Sequence, residues 1–189
     1  MTTSAHKLMS LEEFFDWQAR QQTRYELVEG VPVEMMAGAS SAHDFIVTNL
    51  IIDLGNQLRG SGCRPATADL GIRTKIRSLR RADVLVTCDT AEPNVYEAIN
   101  PRMVVEVLSP RNTGVHWERK LKEYRRHPKL EFILLVDSRV VAASLFIRNE
   151  RGWDDAAIDG DQASDAFDLQ SLGCRLTLAE MYRDTGLLK

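Results

Sequence analysis

The segment Met103-Val104-Val105-Glu106-Val107-Leu108-Ser109-Pro110 decides the fold. Its dense β-branched run reads as a strand covered on both faces, of the kind found in the middle of a sheet. One position breaks the pattern. An ionised carboxylate at Glu106 is costly to bury unless it is paired or holds a cation, so the same segment demands a partner at that point.

Working outward, Asp83 opens a second apolar stretch, Val84-Leu85-Val86-Thr87, 23 residues before Glu106. Two acids on adjacent strands supply hard oxygen ligands of the kind that suit Mg²⁺ or Mn²⁺. Such an ion binds through one or two carboxylates and keeps waters that can serve as a nucleophile. A cation must then meet the negative charge that develops when a phosphodiester is attacked. Lys120 follows Glu106 on a helix expected over Glu118 to Arg126 and closed by His127-Pro128. Its long ammonium side chain makes it the first choice for that task, and Arg119 and Lys122, which point in other directions, are the alternatives.

The remaining chain supplies the layers. Ser10-Leu11-Glu12-Glu13 has capping-box spacing and starts a short helix running to about Gln21. Alternation on either side of Glu29-Gly30, from Tyr25 to Met35, predicts a β-hairpin. From Ser41 to Arg59, Phe45, Val47, Leu50, Ile51, Leu54 and Leu58 keep the helical period, and Gly60 supplies a stop. Strands are expected around Pro65 to Ile76, Glu131 to Val136 and Val140 to Arg148, the last two joined by a tight Asp137-Ser138-Arg139 turn. Arg151 to Leu172 reads as acidic loop or weak strand, and Thr177-Leu178-Ala179-Glu180 as the cap of a short terminal helix. Helices on both sides of one strand cluster predict an α/β sandwich around a central mixed β-sheet, within a single domain spanning 1–189.

Composition narrows the function. Hydrophobic residues make up 44% of the chain and charged residues 27%, the balance of a folded protein. No run approaches the roughly 20 apolar residues that span a bilayer, so no membrane role and a cytoplasmic location are expected. Cys63, Cys88 and Cys174 stand singly and read as reduced thiols. Net charge is −3, but it is segregated: seven basic residues face only Asp69 between Arg59 and Ala82, and eleven acids face six bases from Glu131 onward. The run Arg73-Thr74-Lys75-Ile76-Arg77-Ser78-Leu79-Arg80-Arg81 offers cations that could hold phosphates. No Walker loop, dinucleotide-binding glycine pattern, nucleophile elbow or H-E-x-x-H is present.

Five segments carry a family resemblance: Tyr25-Glu26-Leu27-Val28-Glu29-Gly30, His43 at the start of a long helix, Arg81-Ala82-Asp83-Val84, Val104 to Pro110, and Lys120-Leu121-Lys122-Glu123-Tyr124. In this order they resemble the Uma-type restriction endonucleases. The resemblance implies a restriction endonuclease-like, PD-(D/E)xK fold. It implies Asp83 and Glu106 as ligands of Mg²⁺ (or Mn²⁺) and Lys120 as the catalytic lysine. Glu26, His43, Arg81 and Tyr124 become further residues near the metal or substrate, and DNA the substrate of an endonuclease. The generic motif puts its lysine two residues after the second acid, where this chain has Leu108; Lys120 and Tyr124 match a pattern in which the lysine sits on the following helix. Ala82 stands where a proline is usual, and His116 where an acid is common. A homodimer is the expected assembly, since two sites then cut two strands.

Blander readings exist for each residue. Glu106 could pair with an arginine such as Arg81, Lys120 could be a surface lysine, and Glu26 could face solvent. His43 could cap its helix, and Tyr124 could serve packing. Two other functions also fit the sequence. One is a catalytically inactive nuclease fold that binds DNA, suggested by the acidic net charge and the lack of a separate DNA-reading element. The other is a protein-binding module that works through its acidic second half.

Overall fold

A computed structural model describes residues 8–35, 40–90, 92–109, 115–154 and 157–188, with the backbone alone at 115 and 116. The decisive segment is β7 (Pro101–Leu108), an eight-residue strand that is almost wholly buried. It pairs antiparallel with β6 (Val84–Thr87) and parallel with β8 (Phe132–Asp137). A parallel pair needs a crossover, and α3 (Val115–Arg126) supplies it. β3 (Arg64–Thr67) extends the sheet beyond β6, and β9 (Ala143–Asn149) extends it beyond β8. Both β10 (Gly152–Trp153) and β11 (Ile158–Gly160) pair with β9. The result is the expected central mixed sheet, in the order β10-β9-β8-β7-β6-β3.

Strand parity sorts the two faces. On one face Val84, Val86, Met103, Val105, Val107, Phe132, Leu134 and Val136 pack under α2 (Ser41–Gln57) through Ile46, Leu50 and Leu54. The same core takes in a small sheet of β12 (Ala166–Leu169) and β13 (Cys174–Thr177), and α4 (Leu178–Met181), capped by Thr177. On the other face Leu85, Val104, Ile133 and Leu135 pack against Tyr124, Leu130, Ile72 and Ala82. Side chains alternate along a strand, so Glu106 falls on the face of Val104, which is the α3 face.

A second sheet, β2-β1-β5-β4, is built from two hairpins. β1 (Tyr25–Val28) and β2 (Val31–Glu34) turn at Glu29 and Gly30, both at positive φ. That is the chirality a two-residue hairpin favours, and a Cβ on Gly30 would lie 2.7 Å from that of Leu8. β4 (Ile72–Lys75) and β5 (Ser78–Arg80) form the other hairpin, and Leu27 pairs with Leu79 across the two. α1 (Leu11–Gln18), with its Ser10 and Glu13 capping box, covers this sheet through Leu11 and Phe14. No helix among the described residues is long and apolar enough to cross a membrane.

Three expectations are corrected, and one is made definite. Phe45 is 44% exposed and Ile46 takes the core place, because the buried stripe of α2 runs through 46, 50 and 54. The acidic stretch 151–172, read as loop or weak strand, holds three short strands and a 3-10 turn at Gln170–Leu172. The basic run 73–81 is open only in part: Arg80 and Arg81 are buried, whereas Arg73 and Arg77 stay exposed. Finally, Cys63 and Cys88 form a disulfide. They flank the paired residues Arg64 and Thr87 of β3 and β6, so the sheet register sets them face to face although 25 residues separate them in sequence. Cys174 alone is a free, buried thiol. Closing that loop limits the unfolded chain. Reduction is therefore expected to lower the unfolding free energy by about 3 kcal/mol, measured by urea denaturation with and without dithiothreitol. Coincident curves for the two states would remove the staple from the fold's stability.

Candidate active site

Glu106 lies near the C-terminal end of β7, facing α3. Lys120 and Tyr124, one turn apart on α3, present their side chains to it. Lys120 Nζ lies 3.0 and 3.1 Å from the two carboxylate oxygens, and Tyr124 donates its hydroxyl to Oε1 at 2.7 Å. Lys120 also reaches Glu26 Oε1 at 3.0 Å and the carbonyl of Arg81 at 3.3 Å. Glu26 is brought there by the second sheet and accepts the backbone N–H of Arg81 at 2.9 Å.

Asp83 precedes β6 and accepts the backbone N–H of Val107 at 2.7 Å, which fixes it beside the end of β7. His43, in the first turn of α2, places Nε2 3.6 Å from Asp83 Oδ2. Asp83 is the open member of the group, its side chain 22% exposed.

The electrostatics follow from two carboxylates on one ammonium, with Asp83 close enough to act on Glu106. Burial, aided by the charges of Asp83 and Glu26, pushes Glu106 up to about 7 against the opposing pull of Lys120 and Tyr124. Burial would by itself lower Lys120, but Glu106 and Glu26 together raise it above the ordinary lysine value. Glu26 is held below the usual carboxylate range by Lys120 and Arg80 in spite of its burial. The Asp83 hydrogen bond raises His43. Burial and then Glu106 push the Tyr124 phenol well above its normal value, so it remains a donor.

Behind this group lies a second, fully buried ion cluster. Arg80 donates from Nε and Nη2 to the two oxygens of Glu123 at 2.8 and 3.0 Å, and from Nη1 to Glu26 at 2.9 Å. Thr74 donates to Glu123 at 2.8 Å. Glu26 therefore joins the two clusters, bridging Lys120 and Arg80.

The structure thus brings together Glu26, His43, Asp83, Glu106, Lys120 and Tyr124. Arg81 differs: its guanidinium donates to the carbonyls of Tyr25, Ala68 and Asp69 and braces the chain, while its backbone touches the site. Among the alternative cations, Lys122 is exposed, and Arg119 pairs with Glu29 and Glu123. The side chain of His116 and the residue Pro110 lie outside the described residues. Sequence reasoning did not single out Arg80 and Glu123. The signal available was helical parity, since Glu123 stands three residues after Lys120 and next to Tyr124.

No group of three or more His, Cys, Asp or Glu side chains able to hold a metal ion is gathered among the described residues. A tetrahedral zinc set is therefore not what these residues form. Asp83 and Glu106 do fit a hard ion held by one or two carboxylates and completed by water. The raised proton affinity of Glu106 comes first from its burial, with Asp83 and Glu26 adding to it against Lys120, and a bound cation would favour the ionised form.

Comparison with known proteins agrees with this architecture. A family model described as "Uma2: Putative restriction endonuclease" matches residues 11–179. A Synechocystis protein described as uncharacterized protein slr1290 is 33% identical over 177 residues, which cover 93% of this chain and 92% of that one. A solved structure from Anabaena variabilis, described as a "putative nuclease belonging to DUF820", superposes with a TM-score of 0.74. It covers 92% of this chain and 97% of its own at 14% identity, which establishes a shared fold. With a family match running from α1 into α4 and a relative aligned along nearly its whole length, the chain belongs to the Uma2 family.

Proposed function

We propose that the protein is a metal-dependent endonuclease that hydrolyses phosphodiester bonds in DNA and works as a homodimer. Asp83 and Glu106 would hold Mg²⁺ or Mn²⁺, and Lys120 is the catalytic lysine. The observation that carries this reading is the convergence of Asp83, Glu106 and Lys120 at one end of β6 and β7, with the ammonium 3.0 Å from Glu106. When bound, such an ion would polarise a phosphate oxygen and lower the pKa of a coordinated water.

The protein's own groups divide the remaining work. Lys120 keeps its proton at any physiological pH, so it supplies positive charge at the attacked phosphate and does not act as a base. Glu26 orients Lys120 through a second ion pair at 3.0 Å. Tyr124 fixes one oxygen of Glu106 and directs the carboxylate. His43 faces Asp83 at 3.6 Å, and that carboxylate raises its proton affinity. The test is incubation of supercoiled and linear DNA with Mg²⁺ or Mn²⁺. Wild-type protein should cut and Glu106→Gln should not. DNA affinity that is salt-dependent, metal-independent and unaltered in Glu106→Gln, with no cutting by the wild type, would instead support the inactive binding module.

A pH dependence follows with a definite sign. Below about 7 Glu106 carries a proton that an incoming cation must displace; above it the carboxylate is already ionised. The proton on His43 opposes the cation in the same direction. Metal affinity should therefore rise by up to about tenfold per pH unit as the pH approaches 7 and level off beyond it. Calorimetric titration of Mg²⁺ or Mn²⁺ across that range checks this, and a flat profile would remove Glu106 from the ligand set.

A further inference from the structure

Among the described residues Ile76 is the most exposed large hydrophobic one, at 88%. It forms, with Arg77, the two-residue tip that closes the β4–β5 hairpin between Lys75 and Ser78. A solitary bare isoleucine is ordinary, but this one is set in a particular frame. Lys75 and Arg77 flank it, and Arg77 is exposed with no ion pair among the described residues. Beside them Arg119 and Lys75 share Glu29, so three cations and one acid surround the tip.

The tip is also joined rigidly to the candidate active site. Arg80, at the root of the hairpin, ties β5 to Glu26 and Glu123, and Thr74, next to the Lys75–Ser78 pair, ties β4 to Glu123. Near the tip, Arg77 O accepts the N–H of Gly30, and Arg119 adjoins Lys120 on α3. A force on the tip is therefore transmitted to the group that holds Lys120.

Resting on the nuclease reading above, we infer that Ile76 is a wedge that inserts between stacked bases of duplex DNA while Lys75 and Arg77 hold the adjoining phosphates. The chemistry fits: apolar side chains such as isoleucine enter base steps and kink the duplex, and flanking cations take up the backbone on either side. A second copy of this chain fits the tip less well. A single apolar side chain makes no hydrophobic core for an interface, and an isologous contact would set Arg77 against Arg77.

The test uses a duplex with 2-aminopurine in place of adenine, whose fluorescence rises when the base unstacks. Binding is followed in Ca²⁺, which fills oxygen sites without the octahedral geometry of Mg²⁺. The wild type should bind and raise the signal. Ile76→Ser should lose the rise and bind about tenfold more weakly, with unchanged melting temperature and metal affinity, while Ile76→Leu should keep both. If the wild type binds and cuts but gives no rise, or if Ile76→Ser matches it, the wedge is wrong and the nuclease reading stands. If the wild type neither binds nor cuts any duplex, both fall. A change from dimer to monomer in Ile76→Ser with DNA binding intact would make the tip an interface between copies and overturn the wedge.

Discussion

Lys120→Met is expected to lower metal-dependent DNA cleavage by about 10²–10³-fold, while Lys122→Met leaves the rate unchanged. Methionine keeps most of the apolar stem and removes only the ammonium that stands between Glu26 and Glu106. Two losses then coincide. The developing charge on the phosphate is no longer met by a cation. In addition, Glu106 loses the strongest influence that keeps its carboxyl from rising further, so at neutral pH more of it is protonated and the metal binds less well. The two can be separated by single-turnover cleavage at saturating Mn²⁺ and at a pH well above 7, where the site is ionised and loaded. A rate still reduced by two orders of magnitude under those conditions assigns Lys120 to the reacting phosphate. Recovery to the wild-type rate would make it only a counter-ion of Glu106. Lys122 serves as the control because it is exposed on the same helix and touches none of the site residues.

The site was legible where local sequence carries the signal. A carboxylate inside β7 is anomalous on its own strand, and the spacing of Lys120 and Tyr124 on α3 needs nothing beyond the helical period. Family resemblance added Glu26 and His43, whose own strand and helix give no reason to turn them inward. What escaped were interactions set by the packing of distant elements. Arg80 reads in sequence as one cation in a basic run, and its partners Glu123 and Glu26 lie 43 and 54 residues away. Glu123 reads as a helix-surface acid because only tertiary structure brings β4 and β5 across α3. The disulfide was hidden for the same reason: nothing in the spacing of Cys63 and Cys88 reveals that β3 and β6 are neighbours in register.

Arg80→Met should strongly destabilise the fold, costing about 3–5 kcal/mol, because it leaves Glu26 and Glu123 buried without their shared cation. For a chain of this size that corresponds to a fall in melting temperature of roughly 6–20 °C. The comparison is with Arg73→Met, which breaks the Arg73–Glu97 pair on the same hairpin. Arg73 is about half exposed, so its pair is worth at most about 1 kcal/mol and the melting temperature should barely move. Burial is the deciding difference, since both arginines make contacts of 2.7 to 2.9 Å. Adding Glu123→Gln to Arg80→Met should recover part of the loss, because a neutral amide removes one of the stranded charges and can still accept from Thr74. Failure of that rescue would locate the cost in lost packing of the arginine stem. A near-normal melting temperature for Arg80→Met would mean that Glu26 and Glu123 take up protons in its absence. The variant would then lose stability as the pH rises and those protons leave, whereas the wild type, in which Lys120 and Arg80 lower the proton affinity of Glu26 and Arg80 that of Glu123, would not follow it.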